Sequence, residues 1–400
     1  MELTLRLVLF CICWGVVSVV LIAIAYGFFV SFYRRLMMGI VAAVALVVHL
    51  IGYWNLYLTG FWHNLFHLIM LIVMGVIVLS DAEGITKPPF LDWKTASVRA
   101  GLMALSTLGS TRRVYRSFFK HGKYDKHGRR ISKIKIPEGY THYTTVFRGS
   151  NIEFLMPQHE KHRVVLMIPG GGYVGRMTDL KMNYSWYYSE AANDARVVIL
   201  DYKTVLDGAE FPEPLDEAVR LYKWILEQGY EGKDIIVAGD SAGGNLALTL
   251  IEYLLDHEIE VPKCVITFSA WTDMSGSSSS YRRMKRYDAL FGGNHVIEMS
   301  AHKYVESSGK SLKDRYVSPY FVKDFKGFPP MLMQVGSYEM LLDSSVDFAE
   351  RAIKCGADAN LEIYEGMFHE FQRTRNYNEY AKAAWWSVKA FLQHIYGDEY

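Results

Sequence analysis

Residues 239–244 read Gly239-Asp240-Ser241-Ala242-Gly243-Gly244. They follow a short apolar run, Ile235-Ile236-Val237-Ala238, and lead into Asn245-Leu246-Ala247-Leu248, which has helical character. A serine with glycines two positions to either side, between a strand and a helix, suits a sharp turn that lifts its hydroxyl above a sheet. The helix amino terminus behind it favours negative charge as it develops. Ser241 is thus the candidate nucleophile.

Such a serine needs a base to take its proton and an anion to orient that base. The segment Gly366-Met367-Phe368-His369-Glu370-Phe371 puts His369 in a loop before the final helix, whereas His121, His127, His159 and His257 sit among charged residues and read as surface groups. Two acids, Glu339 and Asp343, follow the strand end Gln334-Val335-Gly336. Glu339 is nearer the strand end, from which a side chain can reach a histidine; Asp343 competes with it, its ordinary role being to cap the following helix. Pro169-Gly170-Gly171-Gly172-Tyr173 lets backbone N–H groups approach a substrate closely, as a developing oxygen anion requires. A phosphate-cradling use would need a Gly-Lys-Ser/Thr ending or G-x-G-x-x-G spacing, and neither is there. The loop is therefore read as an oxyanion loop.

These groups need a scaffold that delivers them to one edge. From about residue 140, short β-branched runs alternate with longer periodic segments, the pattern of an α/β fold with a mostly parallel sheet and helices on both faces. Strands are expected at 143–147, 152–156, 164–168, 197–201, 235–238, 264–268, 331–335 and 361–364, with helices near 212–229, 243–257, 343–355 and 377–396. Residues 275–280 read as a polar loop.

The whole chain of 400 residues is 50% hydrophobic and carries 43 basic and 42 acidic side chains, a net charge of +1. That composition excludes a disordered chain and one that is basic throughout. Four cysteines, Cys11, Cys13, Cys264 and Cys355, have neither the density of a disulfide scaffold nor the paired spacing of a zinc site, which favours reducing surroundings. The balance is nevertheless a cancellation between regions. Leu7–Tyr33 and Leu36–Ser80 are runs of 27 and 45 residues without a charge, separated by Arg34-Arg35. A hydrocarbon layer of ~30 Å takes about 20 helical residues, so residues 1–80 are expected to hold three transmembrane helices, near 5–32, 36–58 and 62–80. The alternatives are two spans, or a cleaved signal peptide and a buried hairpin. His63 and His67 have metal-ligand spacing but no acidic or thiol partner nearby, so interfacial anchoring or an interhelical hydrogen bond is the better reading.

From Lys87 to Lys135 there are 13 basic residues against Asp92 and Asp125, while residues 136–400 carry a net charge of −10. Basic residues beside a span favour the cytoplasmic face, so an odd number of spans puts the amino terminus outside and the carboxy-terminal domain in the cytoplasm. Residues 81–139 then form a membrane-proximal neck, drawn to anionic lipid headgroups rather than to nucleic acid. Residues 140–400 form the catalytic domain.

The chain order Ser241, Glu339, His369 is that of α/β-hydrolases. With GDSAGGNLAL, PGGGY, Asp201-Tyr202, Phe211-Pro212, Ser269-Ala270-Trp271-Thr272-Asp273 and Ser318-Pro319-Tyr320 in the same order, residues 140–396 resemble the hormone-sensitive lipase branch of that fold, the group of arylacetamide deacetylase-like and acetyl esterases. The resemblance implies Ser241 as nucleophile, His369 as general base and acid, Glu339 as orienting acid, and the backbone N–H groups of Gly171, Gly172 and Ala242 as oxyanion donors. It also implies structural roles for Asp240 and Asp273, and a lid made by the segment ahead of the first strands, here 87–135. Two departures stand out: Pro169 replaces the histidine that usually begins the glycine loop, and Glu339 replaces the usual aspartate. The expected activity is hydrolysis of a small-molecule or lipid ester, short-chain or acetyl, with no metal or organic cofactor implied. An acyltransferase using the same acyl-enzyme, and a non-catalytic membrane receptor or scaffold on a hydrolase fold, are the alternatives.

Overall fold

The computed structural model describes residues 123–400, apart from Gly128, Arg286, Gly293 and Asn294. The three expected spans and most of the basic stretch lie outside these residues. Among the described residues no helix is long and apolar enough to cross a membrane.

Two short strands, β1 (Lys123–Tyr124) and β2 (Arg130–Ile131), pair as a small hairpin. The main sheet is built from β3 (Tyr140–Phe147), β4 (Ser150–Pro157), β5 (Lys161–Ile168), β6 (Ala195–Asp201), β7 (Ile235–Asp240), β8 (Cys264–Phe268), β9 (Met331–Gly336) and β10 (Ala359–Tyr364). Each of the eight expected strands is present, most of them extended by one to three residues at an end. Across the sheet the order is β10-β9-β8-β7-β5-β6-β4-β3. All neighbours from β10 to β6 run parallel, and β4 and β3 close the edge antiparallel.

The helices are α1 (Asp179–Met182), α2 (Ser185–Ala191), α3 (Glu213–Glu227), α4 (Ala242–Asp256), α5 (Ser280–Arg283), α6 (Val296–Tyr304), α7 (Leu342–Lys354) and α8 (Glu379–Tyr396). Alternation along β5 shows how they cover the sheet. Val164, Leu166 and Ile168 belong to one core with residues of α3, α4 and α7, while Val165 and Met167 belong to a second core with α2 and α8. Successive side chains of a strand point to opposite faces, so a strand covered on both must be apolar throughout. That is why the central runs carry no polar alternation.

The four expected helices are α3, α4, α7 and α8. The sequence reading missed α1, α2, α5 and α6, and Ser280, taken as the end of a polar loop, instead begins α5. These are short, and α2 is rich in aromatic and small residues that blur a helical period.

The part of the basic neck that is described is also not uniformly exposed. Arg130 is buried, and its guanidinium grips Glu153 of β4, with one arm at 2.7 Å, and Asp179 of α1 at 2.5 Å. His142 Nε2 lies 2.7 Å from Glu153 Oε2, the oxygen that also accepts from Arg130 Nη2. Arg130 therefore serves the antiparallel edge and is withdrawn from any headgroup.

Candidate active site

The carboxy-terminal ends of β5, β7, β8, β9 and β10 converge on one set of polar groups. β7 ends at Asp240 and α4 starts at Ala242, so Ser241 alone makes the turn, with φ 53° and ψ −119°. This left-handed backbone is uncommon for a residue with a Cβ and marks a constrained position. It is held by Ser241 N–H donating to Phe268 O (2.9 Å) and by Trp271 N–H donating to Ser241 O (3.0 Å). Glycine is required behind it, because a Cβ on Gly243 would come within 1.9 Å of Ile168 O.

His369 follows β10 and Glu339 follows β9. His369 Nε2 is 2.9 Å from Ser241 Oγ, and His369 Nδ1 is 2.9 Å from Glu339 Oε2. Glu339 is fully buried, and its Oε1 accepts from Ser269 Oγ (2.8 Å) and Gly336 N–H (2.6 Å). Those donors leave Oε2 to the histidine. Asp343 lies in the first turn of α7, where its carboxylate meets Ser279 and Arg283 (2.7 Å). Of the two acids that the sequence offers, Glu339 adjoins the histidine and Asp343 does not.

Burial alone would lower the His369 pKa, but the hydrogen bond and charge of Glu339, with Glu370 and Asp288 beyond, raise it from 6.5 to about 9. Burial raises the carboxyl of Glu339 against the lowering effect of His369. The ring of Phe291 stands edge-on to the imidazole, with centroids 4.9 Å apart.

Beside this chain lies the glycine loop. Gly171 has φ 137° and Gly172 φ 61°. A Cβ at Gly171 would also strike Gly175 O at 2.2 Å, so both space and backbone demand glycine there. The carbonyls of Pro169, Gly170 and Gly171 accept from Tyr202, Lys181 and the N–H groups of Val174 and Gly175. The N–H groups of Gly171 and Gly172 take no acceptor among the described residues. The Ala242 N–H opens α4 and has no intrahelical partner. The three expected donors are thus free at the loop and elbow that flank Ser241.

Asp240 and Asp273 have the expected bracing contacts. Asp240 accepts from Gly170 N–H (2.9 Å) and Tyr184 OH (2.8 Å), while Asp273 gathers the backbone and hydroxyls of Ser275 and Ser277. The sequence reading missed Ser269, Lys181, Glu370 and Arg373. Glu370 had a visible signal, since it directly follows His369; Lys181 had none. No group of three His, Cys, Asp or Glu among the described residues is placed to share a metal ion.

The profile of the alpha/beta hydrolase fold family matches residues 165–373, a little over half of the chain. An esterase of Acinetobacter venetianus is 34% identical over 200 residues, which cover 50% of this chain and 65% of that protein, just under two thirds of its length. An acetyl-hydrolase of Streptomyces hygroscopicus is 29% identical over 246 residues, covering 62% of this chain and 79% of that one. An ethyl acetate hydrolase of Pseudomonas putida is 26% identical over 242 residues, covering 58% and 73%. Among solved structures, an esterase of the bacterial hormone-sensitive lipase family superposes with a TM-score of 0.66 at 24% identity, over 77% of this chain and 100% of that one, and shares the fold. The chain belongs to the alpha/beta hydrolase fold family. Within it, the chain is similar to esterases and acetyl-hydrolases, and its fold to an esterase of the hormone-sensitive lipase family.

Proposed function

We propose that this protein is a membrane-anchored serine esterase that hydrolyses short-chain or acetyl carboxylic esters through an acyl-enzyme. The observation that carries the reading is the continuous chain Ser241 Oγ, His369 Nε2, His369 Nδ1, Glu339 Oε2, with 2.9 Å at each hydrogen bond. The acetyl-hydrolase and ethyl acetate hydrolase relatives support the short acyl group. The anchor is supported by the two uncharged runs in residues 1–80, and the cytoplasmic placement by the basic residues that follow them.

In this reading His369 takes the hydroxyl proton of Ser241 as Oγ attacks the ester carbonyl. The carbonyl electron pair moves to oxygen, and the N–H groups of Gly171, Gly172 and Ala242 donate hydrogen bonds to the resulting anion; one such donor is worth ~3 kcal/mol in the transition state. Collapse of the intermediate breaks the bond to the alcohol oxygen, which leaves with the proton from His369. Water then repeats the sequence on the acyl-enzyme, giving up its proton to His369 and releasing the acid and Ser241. Glu339 stabilises the imidazolium in both halves.

The test is hydrolysis of p-nitrophenyl acetate by the full chain. Ser241→Ala should lower kcat on the order of 10⁶-fold and abolish fluorophosphonate labelling; unchanged turnover would sink the mechanism. A series of acyl lengths, assayed with and without anionic vesicles, reads the substrate class. Digestion of the catalytic domain by protease added to the outside of sealed right-side-out vesicles would overturn the cytoplasmic placement.

A further inference from the structure

Pro169 offers no N–H and no polar side chain, so it cannot brace the glycine loop as a side chain with a hydrogen-bond donor could. Something else must hold the loop's carbonyls away from the site and its N–H groups toward it. Lys181, in α1, is buried against this loop. Its ammonium donates to three carbonyls, Gly170 O (2.5 Å), Arg176 O (2.9 Å) and Gly175 O (3.1 Å). An ammonium has three donors and here all three are used on one loop.

We propose that Lys181 is the positioning residue of the oxyanion hole: its ammonium ties both ends of the loop 170–176 and so fixes the direction of the Gly171 and Gly172 N–H groups. This rests on the esterase reading above. Four observations converge on it. The ammonium sits so close that a Cβ on Gly171 would be 2.8 Å from Nζ. Gly170 is clamped from both sides, its carbonyl by Lys181 and its N–H by Asp240 Oδ2 (2.9 Å). The charge of Lys181 is held in the interior by Asp240 and Glu370, with Arg373 opposing and Asp201 further off; burial lowers its pKa to about 8 against their pull. The lysine is itself anchored, because its neighbour Asp179 accepts from Ser132 Oγ (2.8 Å) and Lys133 N–H (3.1 Å) and pairs with Arg130. Lys181 touches no reacting atom; it acts through the backbone it holds.

The experiment compares wild type, Lys181→Met and Lys181→Gln in the full chain, with turnover of p-nitrophenyl acetate normalised to the sites labelled by a fluorophosphonate at completion. Affinity for an alkyl trifluoromethyl ketone, whose hemiketal oxygen occupies the oxyanion hole, is measured alongside. Misplacing donors by about 1 Å costs on the order of 100-fold. Lys181→Met should therefore lower kcat about 100-fold with KM within about threefold, and weaken the ketone by the same factor as kcat/KM. Lys181→Gln, which keeps an amide donor, should fall between. Wild-type kcat per site in both variants, or a loss of kcat with undiminished ketone affinity, would overturn the proposal. Failure of both variants to fold would overturn it too, by making Lys181 a structural cation. Should the wild type itself lack Ser241-dependent hydrolysis, it is the esterase reading that fails, a result distinguishable from all of these.

Discussion

Two buried carboxylate clusters in this molecule use similar parts to opposite ends. At the antiparallel edge, Glu153 is enclosed by Arg130 and His142. Burial alone would raise its pKa, yet those two partners hold it below the ordinary carboxylate value. At the head of the parallel strands, Asp240 and Glu370 face each other and share one neighbouring arginine, Arg373. Burial and the charge of Glu370 raise Asp240 to about 7, while Arg373 and His369 hold Glu370 low despite its burial. In the first cluster Glu153 takes hydrogen bonds from an arginine and a histidine and is satisfied. The second gathers two acids around Arg373 and Lys181, and there the two carboxyls are pushed in opposite directions. Two acids brought together in the interior mark a site where titration matters, whereas one acid enclosed by its partners marks an edge that must be pinned.

The largest effects should separate these roles. Glu339→Gln is expected to lower kcat on the order of 10³–10⁴-fold in steady-state ester hydrolysis, because the imidazole loses the anion that sets its tautomer. Asp343→Asn should stay within about threefold, the scale of a lost helix-end contact; a reversed order of effects would break the assignment of the acid. Glu153→Gln should show the opposite profile. Removing one partner of a buried pair costs about 3–5 kcal/mol, read by denaturant unfolding, while kcat per labelled site stays within about twofold.

The smallest effect is the most informative about the second cluster. Glu339 and the anions beyond it raise the His369 pKa to about 9, so kcat/KM is expected to climb about tenfold per pH unit below that value and to level near it. Glu370 is one of the anions responsible, its Oε1 3.8 Å from His369 Nε2. Glu370→Gln should shift the midpoint of the pH profile downward, raising the fraction of maximal rate at pH 7 by several-fold. An unmoved midpoint would show that Glu370 does not act on the histidine.

Much of the site was legible because its signals are local. The run 235–238, the glycines around Ser241 and the helix after them describe one turn, and a turn's geometry is written in neighbouring residues. The eight main strands were legible for a related reason, since burial on both faces leaves uninterrupted apolar runs. The short helices α1 and α2 were not, because at four and seven residues they have too few turns to show a period. Arg130 misled for another reason: its neighbours in sequence are basic, but its neighbours in space are Glu153 and Asp179.

The sequence by itself determined the order of the strands along the chain, the turn that carries Ser241, the loop that carries His369, and the glycine loop that follows β5. Only the tertiary structure brought Glu339 rather than Asp343 to the histidine, put the Lys181 ammonium on three carbonyls of the loop, and set Glu370 against Asp240. Ser241 and His369 are 128 residues apart and Gly170 and Asp240 are 70 apart, and each pair meets within 2.9 Å. The physical reason is the parallel sheet. It brings the carboxy-terminal ends of five strands to one edge, so residues that share no local pattern come to share one buried volume, where low dielectric makes their charges answer to one another.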